Sequence, residues 1–405
     1  MSQTKEAGES PPNAPGRIAA RSTHSLASDP YRAGIELGTA LADIRPELVL
    51  VFAAVDHARN PELLEGLYDA LGHREVIVAG NSGDGYFVPG QAANLGVAAL
   101  GLTSHGAVRF RIASTTGVQD EPEDAVRRCL AQLKEQQREA PSLYFMFSDF
   151  RTDASRIETV VRDEIAVPVI GGLAADDNQM QQCYVFCNDQ ILTNHVVMVA
   201  VEGALNFDIS IGNSLNPVGS AGRVDRASGT NVMQIDGLEA MAFIERETGK
   251  QVLQTDRGVL ALTVTDSDRR DEKILRAIVP DFSVESGSLG LYGSILAGKH
   301  VRVCLAEPEQ LIGEVYRIAA EARARHFEPA AAFFVSCNGR KWLLGEQIRH
   351  ETLALSETFG IDLPLIGFAS FGEIGPLKAA DGGYTRNLFH NMTYVLLLIG
   401  QPRAG

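Results

Sequence analysis

Three polar runs in the last third of the chain gather residue types that bind or react. They are Cys337-Asn338-Gly339-Arg340, Ser370-Phe371-Gly372-Glu373 and Phe389-His390-Asn391-Met392-Thr393. Each adjoins an apolar run that reads as a strand, so the polar groups collect at strand ends. In open sheets with parallel strands, ligands sit beyond the carboxyl ends of those strands. Arg340 and Glu373 leave two roles open. They either pair with each other or hold the carboxylate and amine of a zwitterion. Asp176 lies in a comparable turn, Asp176-Asp177-Asn178. The candidate ligand-binding set is therefore Cys337, Asn338, Arg340, Ser370, Glu373, His390, Asn391, Thr393 and Asp176. Turn-making alone accounts for Asp84 and Asp177.

Covalent chemistry finds less support. Cys337 follows a strand and could serve as a nucleophile with His390 as base, but a buried strand-end thiol is the commoner arrangement. Gly80-Asn81-Ser82-Gly83 misses the spacing of a nucleophile elbow. Gly293 to Lys299 has the spacing of a phosphate-binding loop, yet His300 stands where Ser or Thr belongs and a strand follows. Cys183 and Cys187 lie on a strand without a second ligand pair, which favours core cysteines over zinc. The expectation is that the protein is not an enzyme.

The elements that position these residues repeat. The first unit is a strand over 48–55, a helix over 61–71 and a strand over 76–79 ending at Gly80, followed by strands over 95–102 and 108–113. The second runs 143–147, 154–164 and 167–170, ending at Gly171, with strands near 184–186 and 194–202. The third runs 331–335, 347–359 and 363–366, ending at Gly367, with a last strand over 393–399. Short apolar runs alternating with helical periodicity predict parallel β-α-β pieces, and the added strands predict antiparallel neighbours. The fold class is α/β (mixed α+β), with repeated β-α-β-β-β units in mixed sheets and two domains.

Asp29-Pro30 marks a helix start over 31–41. Between the second and third units, 216–229 reads as turn-rich, 236–248 and 308–325 as helices, and 259–264 and 301–305 as strands. The expected organisation is a disordered arm over 1–16, an N-terminal domain of two repeats over 17–232 and a C-terminal domain over 233–402. Among 405 residues, the formal charge of −15 is spread along the chain. That disfavours nucleic acid and anionic membranes as partners. Apolar runs fall short of the roughly 20 residues of a membrane span, and the N-terminus shows no secretory signal pattern. Cytoplasm is the expected location.

Gly171-Gly172-Leu173-Ala174-Ala175-Asp176-Asp177, Cys337-Asn338-Gly339-Arg340, Gly367-Phe368-Ala369-Ser370-Phe371-Gly372-Glu373-Ile374 and His390-Asn391-Met392-Thr393 resemble the motifs of FIST domains. Asp236-Gly237-Leu238-Glu239-Ala240 is similar to the start of the second FIST domain, and the likeness extends over residues 20–400. The resemblance implies an intracellular sensory module for small molecules such as amino acids. It acts in signal transduction through a partner protein, because no kinase, cyclase or DNA-binding segment is left over. Some family members are haem-containing nitric oxide sensors that regulate a histidine kinase or cyclic-di-GMP enzymes. The expectation here is no cofactor. The alternative is a haem b, held by His390, His195 or His57. His390 as a structural group bonded to a backbone carbonyl is the favoured reading. A homodimer is left open, although no exposed heptad pattern supports a coiled coil.

Overall fold

The computed structural model describes residues 18–402 apart from 213–214, 254–255, 257–258, 266–273, 280–286, 326 and 380. The expected arm over 1–16 lies outside these residues. All three units form parallel pairs: Leu48–Ala53 beside Ile77–Ser82, Pro141–Ser148 beside Val169–Leu173, and Phe327–Cys337 beside Leu365–Ser370. The glycine that ends each pattern has a steric cause. Gly80 lies opposite Val51 and Gly171 opposite Met146. A Cβ on them would sit 1.9 Å and 1.8 Å from the facing carbonyl oxygens.

Each copy is larger than its β-α-β heart. An edge strand and a helix come first: Ala19–Ser25 with Pro30–Leu41, Arg109–Thr116 with Pro122–Gln136, and Asn206–Gly212 with Pro308–Ala324. The first helix starts as expected, with Asp29 accepting from the Arg32 N–H at 2.7 Å. The strand expected over 108–113 at the end of copy one is instead the edge strand of copy two, paired with His195–Glu202. In each copy the closing strand (Val97–Thr103, His195–Glu202, Tyr394–Pro402) lies between the edge strand and the first strand of the parallel pair.

The remaining hairpins do not stay at home. Hairpin 86–93 of copy one extends the sheet of copy three, 185–192 of copy two extends that of copy one, and 373–390 of copy three extends that of copy two. Three six-stranded mixed sheets are thereby joined in a closed cycle. At its centre Phe52, Phe147 and Phe333, one from the first strand of each copy, meet with centroids 5.7–6.4 Å apart. Phe368 stacks on Phe52 at 4.5 Å. Each of the four rings is fully buried, worth about 1.5–3 kcal/mol apiece.

Copy three is interrupted. Between its edge strand and its helix, residues 216–305 build a separate seven-stranded antiparallel sheet with helix Ala240–Thr248. The stretch read as turns is the thirteen-residue strand Asn216–Ser228 in this insert. Its Gly and Ser content misled because Gly222 is needed where the Phe243 ring passes 2.5 Å from a would-be Cβ. Residues Asn231–Ile235 form a strand paired on both sides within the same sheet. No described helix is long and apolar enough to cross a membrane. Gly171→Ala should destabilise the protein by about 3 kcal/mol in urea titrations, since both the added methyl and its facing carbonyl belong to packed strands. A cost below about 1 kcal/mol would contradict this account of the glycine.

Candidate functional site

In copy three, Cys337 and Ser370 end the parallel strands side by side. Helix Asn338–Leu344 begins at once, and the turn Asn391-Met392-Thr393 returns the chain from hairpin 373–390 to the closing strand. The Cys337 N–H donates to the Thr393 carbonyl at 3.0 Å, which draws two of the three polar runs together. A recess opens between them. Asn178 of copy two reaches into it and accepts from Asn338 Nδ2 at 2.9 Å. The insert supplies the facing wall with Ala277, Ile278 and Tyr292. Its hold there includes the Ala277 N–H donating to Asn391 Oδ1 at 3.3 Å. The recess offers about 40 Å³ to the centres of water-sized groups, so a small ligand fragment can enter it. Trp342, 55% exposed, stands on its lining.

Four of the nine predicted residues line this recess: Cys337, Asn338, Ser370 and Asn391. Ser370 Oγ is committed to the junction of copies, 2.9 Å from the Leu173 carbonyl and 2.7 Å from that of Gly372. The others serve the frame. Asp176 accepts three backbone N–H groups, from Met180, Gln181 and Gln182, and so shapes its own turn. Thr393 donates from Oγ1 to Glu373 Oε2 at 2.8 Å.

Arg340 and Glu373 do not pair, which corrects the first of their two expected roles. Arg340 is fully buried and bonds Glu351 at 2.8 Å, with Glu314 at 3.9 Å. The helix that starts at Asn338 turns its side chain away from the strand ends toward helix Pro308–Ala324, where it meets the Leu311 carbonyl. Glu373 lies beneath the recess with no exposure. Burial pushes its carboxyl up to about 8, against the hydrogen bonds from Thr393 and the Cys337 thiol. It therefore carries a proton at neutral pH. Burial also pushes the Cys337 thiol up, so that thiol is a poor nucleophile.

His390 behaves as the favoured reading had it. Its Nε2 meets the Gly375 carbonyl at 2.9 Å, and burial lowers it to about 4, so it is neutral. It is fully buried and does not line the recess. His57 and His195 likewise bond backbone carbonyls, of Ala27 and Thr193. His390 is not among the residues that line the recess, so it presents no nitrogen there to a haem. Cys183 and Cys187 are buried thiols, both pushed up by burial. The Gly293 to Lys299 segment leads into strand His300–Leu305, not a helix.

Other participants escaped sequence reasoning. Lys341 reaches Asp84 of copy one, 3.6 Å from its carboxylate, and Asp177 of copy two joins them. Burial, then a hydrogen bond with Asp84, raises the Asp177 carboxyl to about 6. One charged side chain from each copy thus meets at the mutual junction, where turn-making had been thought sufficient. Asn178 was visible only as a turn residue, and nothing in the pattern of 274–292 pointed toward copy three.

The FIST N domain profile matches residues 47–238 and the FIST C domain profile residues 240–376. This chain belongs to the FIST family. An uncharacterized protein of Methanocaldococcus jannaschii is 32% identical over 257 residues, 57% of this FIST chain and 50% of the relative. The match thus spans about half of that relative's length. An uncharacterized protein of Mycobacterium bovis is 24% identical, covering 64% of this chain and 68% of the relative. Among solved structures, T. maritima PurL complexed with ADP aligns with 95% of this chain and 72% of its own, at 9% identity. Its TM-score of 0.21 carries no argument.

Two outcomes follow from the buried charges. Arg340→Met strands Glu351 and Glu314 and should cost about 3–5 kcal/mol of stability by urea denaturation; an unchanged midpoint would refute the ion-pair role. Glu373 binds its proton more tightly folded than unfolded, so its contribution to stability is greatest below pH 4.5 and is lost as pH rises toward 8. The slope is at most about 1.4 kcal/mol per pH unit. Glu373→Gln should flatten that decline; identical pH profiles for the two proteins would exclude it.

Proposed function

We propose that this FIST protein is a small-molecule sensor whose ligand occupies the recess at the strand ends of copy three. One observation carries the reading: the recess is walled jointly by copy three, by Asn178 of copy two and by the insert. A ligand seated there touches the cyclic core and the insert together. Its binding energy depends on how the insert sits, and only such a differential contact lets a ligand shift a conformational equilibrium. The coupling runs through a defined joint. Arg276 of the insert donates to the Phe389 carbonyl at 2.7 Å and to Glu158 of copy two at 2.6 Å, both buried. Ala277, the next residue, lines the recess.

Output passes to a partner protein that reads the insert. The family resemblance makes a histidine kinase or a cyclic-di-GMP enzyme the partner class to try first. The amino-acid expectation rested on Arg340 and Glu373, and both are spent inside the frame. Haem-based nitric oxide sensing has no supporting geometry around His390.

Trp342 is the sole tryptophan of the chain and lines the recess, so intrinsic fluorescence reports occupancy. Compounds from a metabolite library that raise the thermal midpoint should also shift or quench Trp342 emission. In Trp342→Phe the emission should vanish while the thermal shift persists. Stabilising ligands that leave Trp342 emission untouched would place the site elsewhere.

A further inference from the structure

We propose that the recess takes an uncharged ligand that inserts a carboxamide or lactam group, and that it rejects carboxylates and zwitterions. This rests on the recess being the ligand site. The described residues that line it include no charged side chain: those with polar groups are Asn178, Tyr292, Cys337, Asn338, Trp342, Ser370 and Asn391. Three ionisable groups of the floor are already neutralised. Arg340 is closed off by Glu351 and Glu314, Glu373 is proton-bearing beneath the floor, and the Cys337 thiol is neutral. An ion entering the recess would lose its hydration and meet no countercharge among the described lining residues.

One buried group at the edge of the recess asks for a specific partner. Asn338 is 5% exposed, its Nδ2 is committed to Asn178, and its Oδ1 has no hydrogen-bond partner among the described residues. Buried amide oxygens are rarely left in that state. A ligand N–H is its complement. A carboxamide or lactam sets a donor and an acceptor side by side, so its N–H can meet Oδ1 while its carbonyl accepts the second N–H of Nδ2.

Size agrees with this head group. About 40 Å³ is open to the centres of water-sized groups, which admits a carboxamide. The rest of the ligand meets Phe371, Tyr292 and Trp342, which provide aromatic walls. An aromatic or otherwise apolar body suits those walls.

The test uses the full chain and isosteric pairs that differ in charge: nicotinamide against nicotinate, benzamide against benzoate, and uracil against orotate. Binding is followed by Trp342 emission and by thermal shift at up to millimolar concentration. At least one uncharged member should bind, ten times or more tighter than its carboxylate partner. Asn338→Leu should weaken that binding at least tenfold, with an unliganded thermal midpoint near that of the wild type. If Asn338→Leu fails to fold, Asn178→Ala, which frees the Asn338 amide to turn, should change affinity for the same compound. Equal or better binding of the carboxylates overturns the ligand class, as does the absence of any response to the uncharged members. If a charged compound perturbs Trp342 emission and Asn338→Leu abolishes the effect, the class fails while the sensor site stands. If ligands bind without perturbing Trp342, the site fails with it.

Discussion

Every large sheet of the cyclic core depends on one constraint: its outer hairpin must come from another copy. The exchange runs from copy one to three, two to one and three to two, and it leaves none of the three sheets complete on its own. Because each hairpin leaves its own copy directly after the second strand of the parallel pair, the exchange forces the polar turns at those strand ends together. Backbone bonds fix the meeting: the Ala175 N–H to the Ser82 carbonyl, the Leu173 N–H to that of Gly372, and the Asp84 N–H to that of Ala369. The phenylalanine hub and the junction of Asp84, Asp177 and Lys341 are the apolar and ionic sides of the same convergence.

The candidate site shows how charge is used in such a place. Arg340 and Glu351 are both fully buried, and a pair of that kind is costly to desolvate and costly to break. Their role is to lock helix Asn338–Leu344 against the helix of the same copy, which places Asn338 and Trp342. Glu373 avoids the cost of ionisation by keeping its proton. The floor is therefore rich in ionisable groups while the lining above it is neutral, and selectivity comes from amide edges and aromatic faces.

The parallel pairs were legible because their signals are local: an apolar run, a helical period, then a glycine that a facing carbonyl demands. The helix start at Asp29-Pro30 was legible for the same reason. Hairpin exchange was not. Tyr86 pairs with Phe368 and Ile374 with Gly171, and no pattern within a short window specifies partners so far apart. Residues 216–228 read as turns because a glycine such as Gly222, which answers to the Phe243 ring and not to turn geometry, looks the same in a short window. At the site, strand-end position correctly gathered Cys337, Asn338, Ser370 and Asn391. It failed for Arg340, because the direction of a side chain on a following helix is set by packing against 308–324, more than fifteen residues upstream. The contribution of the insert was invisible, since nothing marks which face of its sheet meets copy three.

The closed cycle also bears on how the chain matures as it leaves the ribosome. Hairpin 86–93 finishes its synthesis almost three hundred residues before Leu365–Ser370, the strand it joins, exists. Until then its hydrogen-bonding edge and the Phe52 side of the hub stay open, a state in which nascent chains are prone to aggregate and to recruit chaperones. Contacts this distant in sequence also make for slow folding. The last strand made, Tyr394–Pro402, pairs with both the edge strand and the first strand of copy three. The ring therefore cannot close until residue 402 has been made.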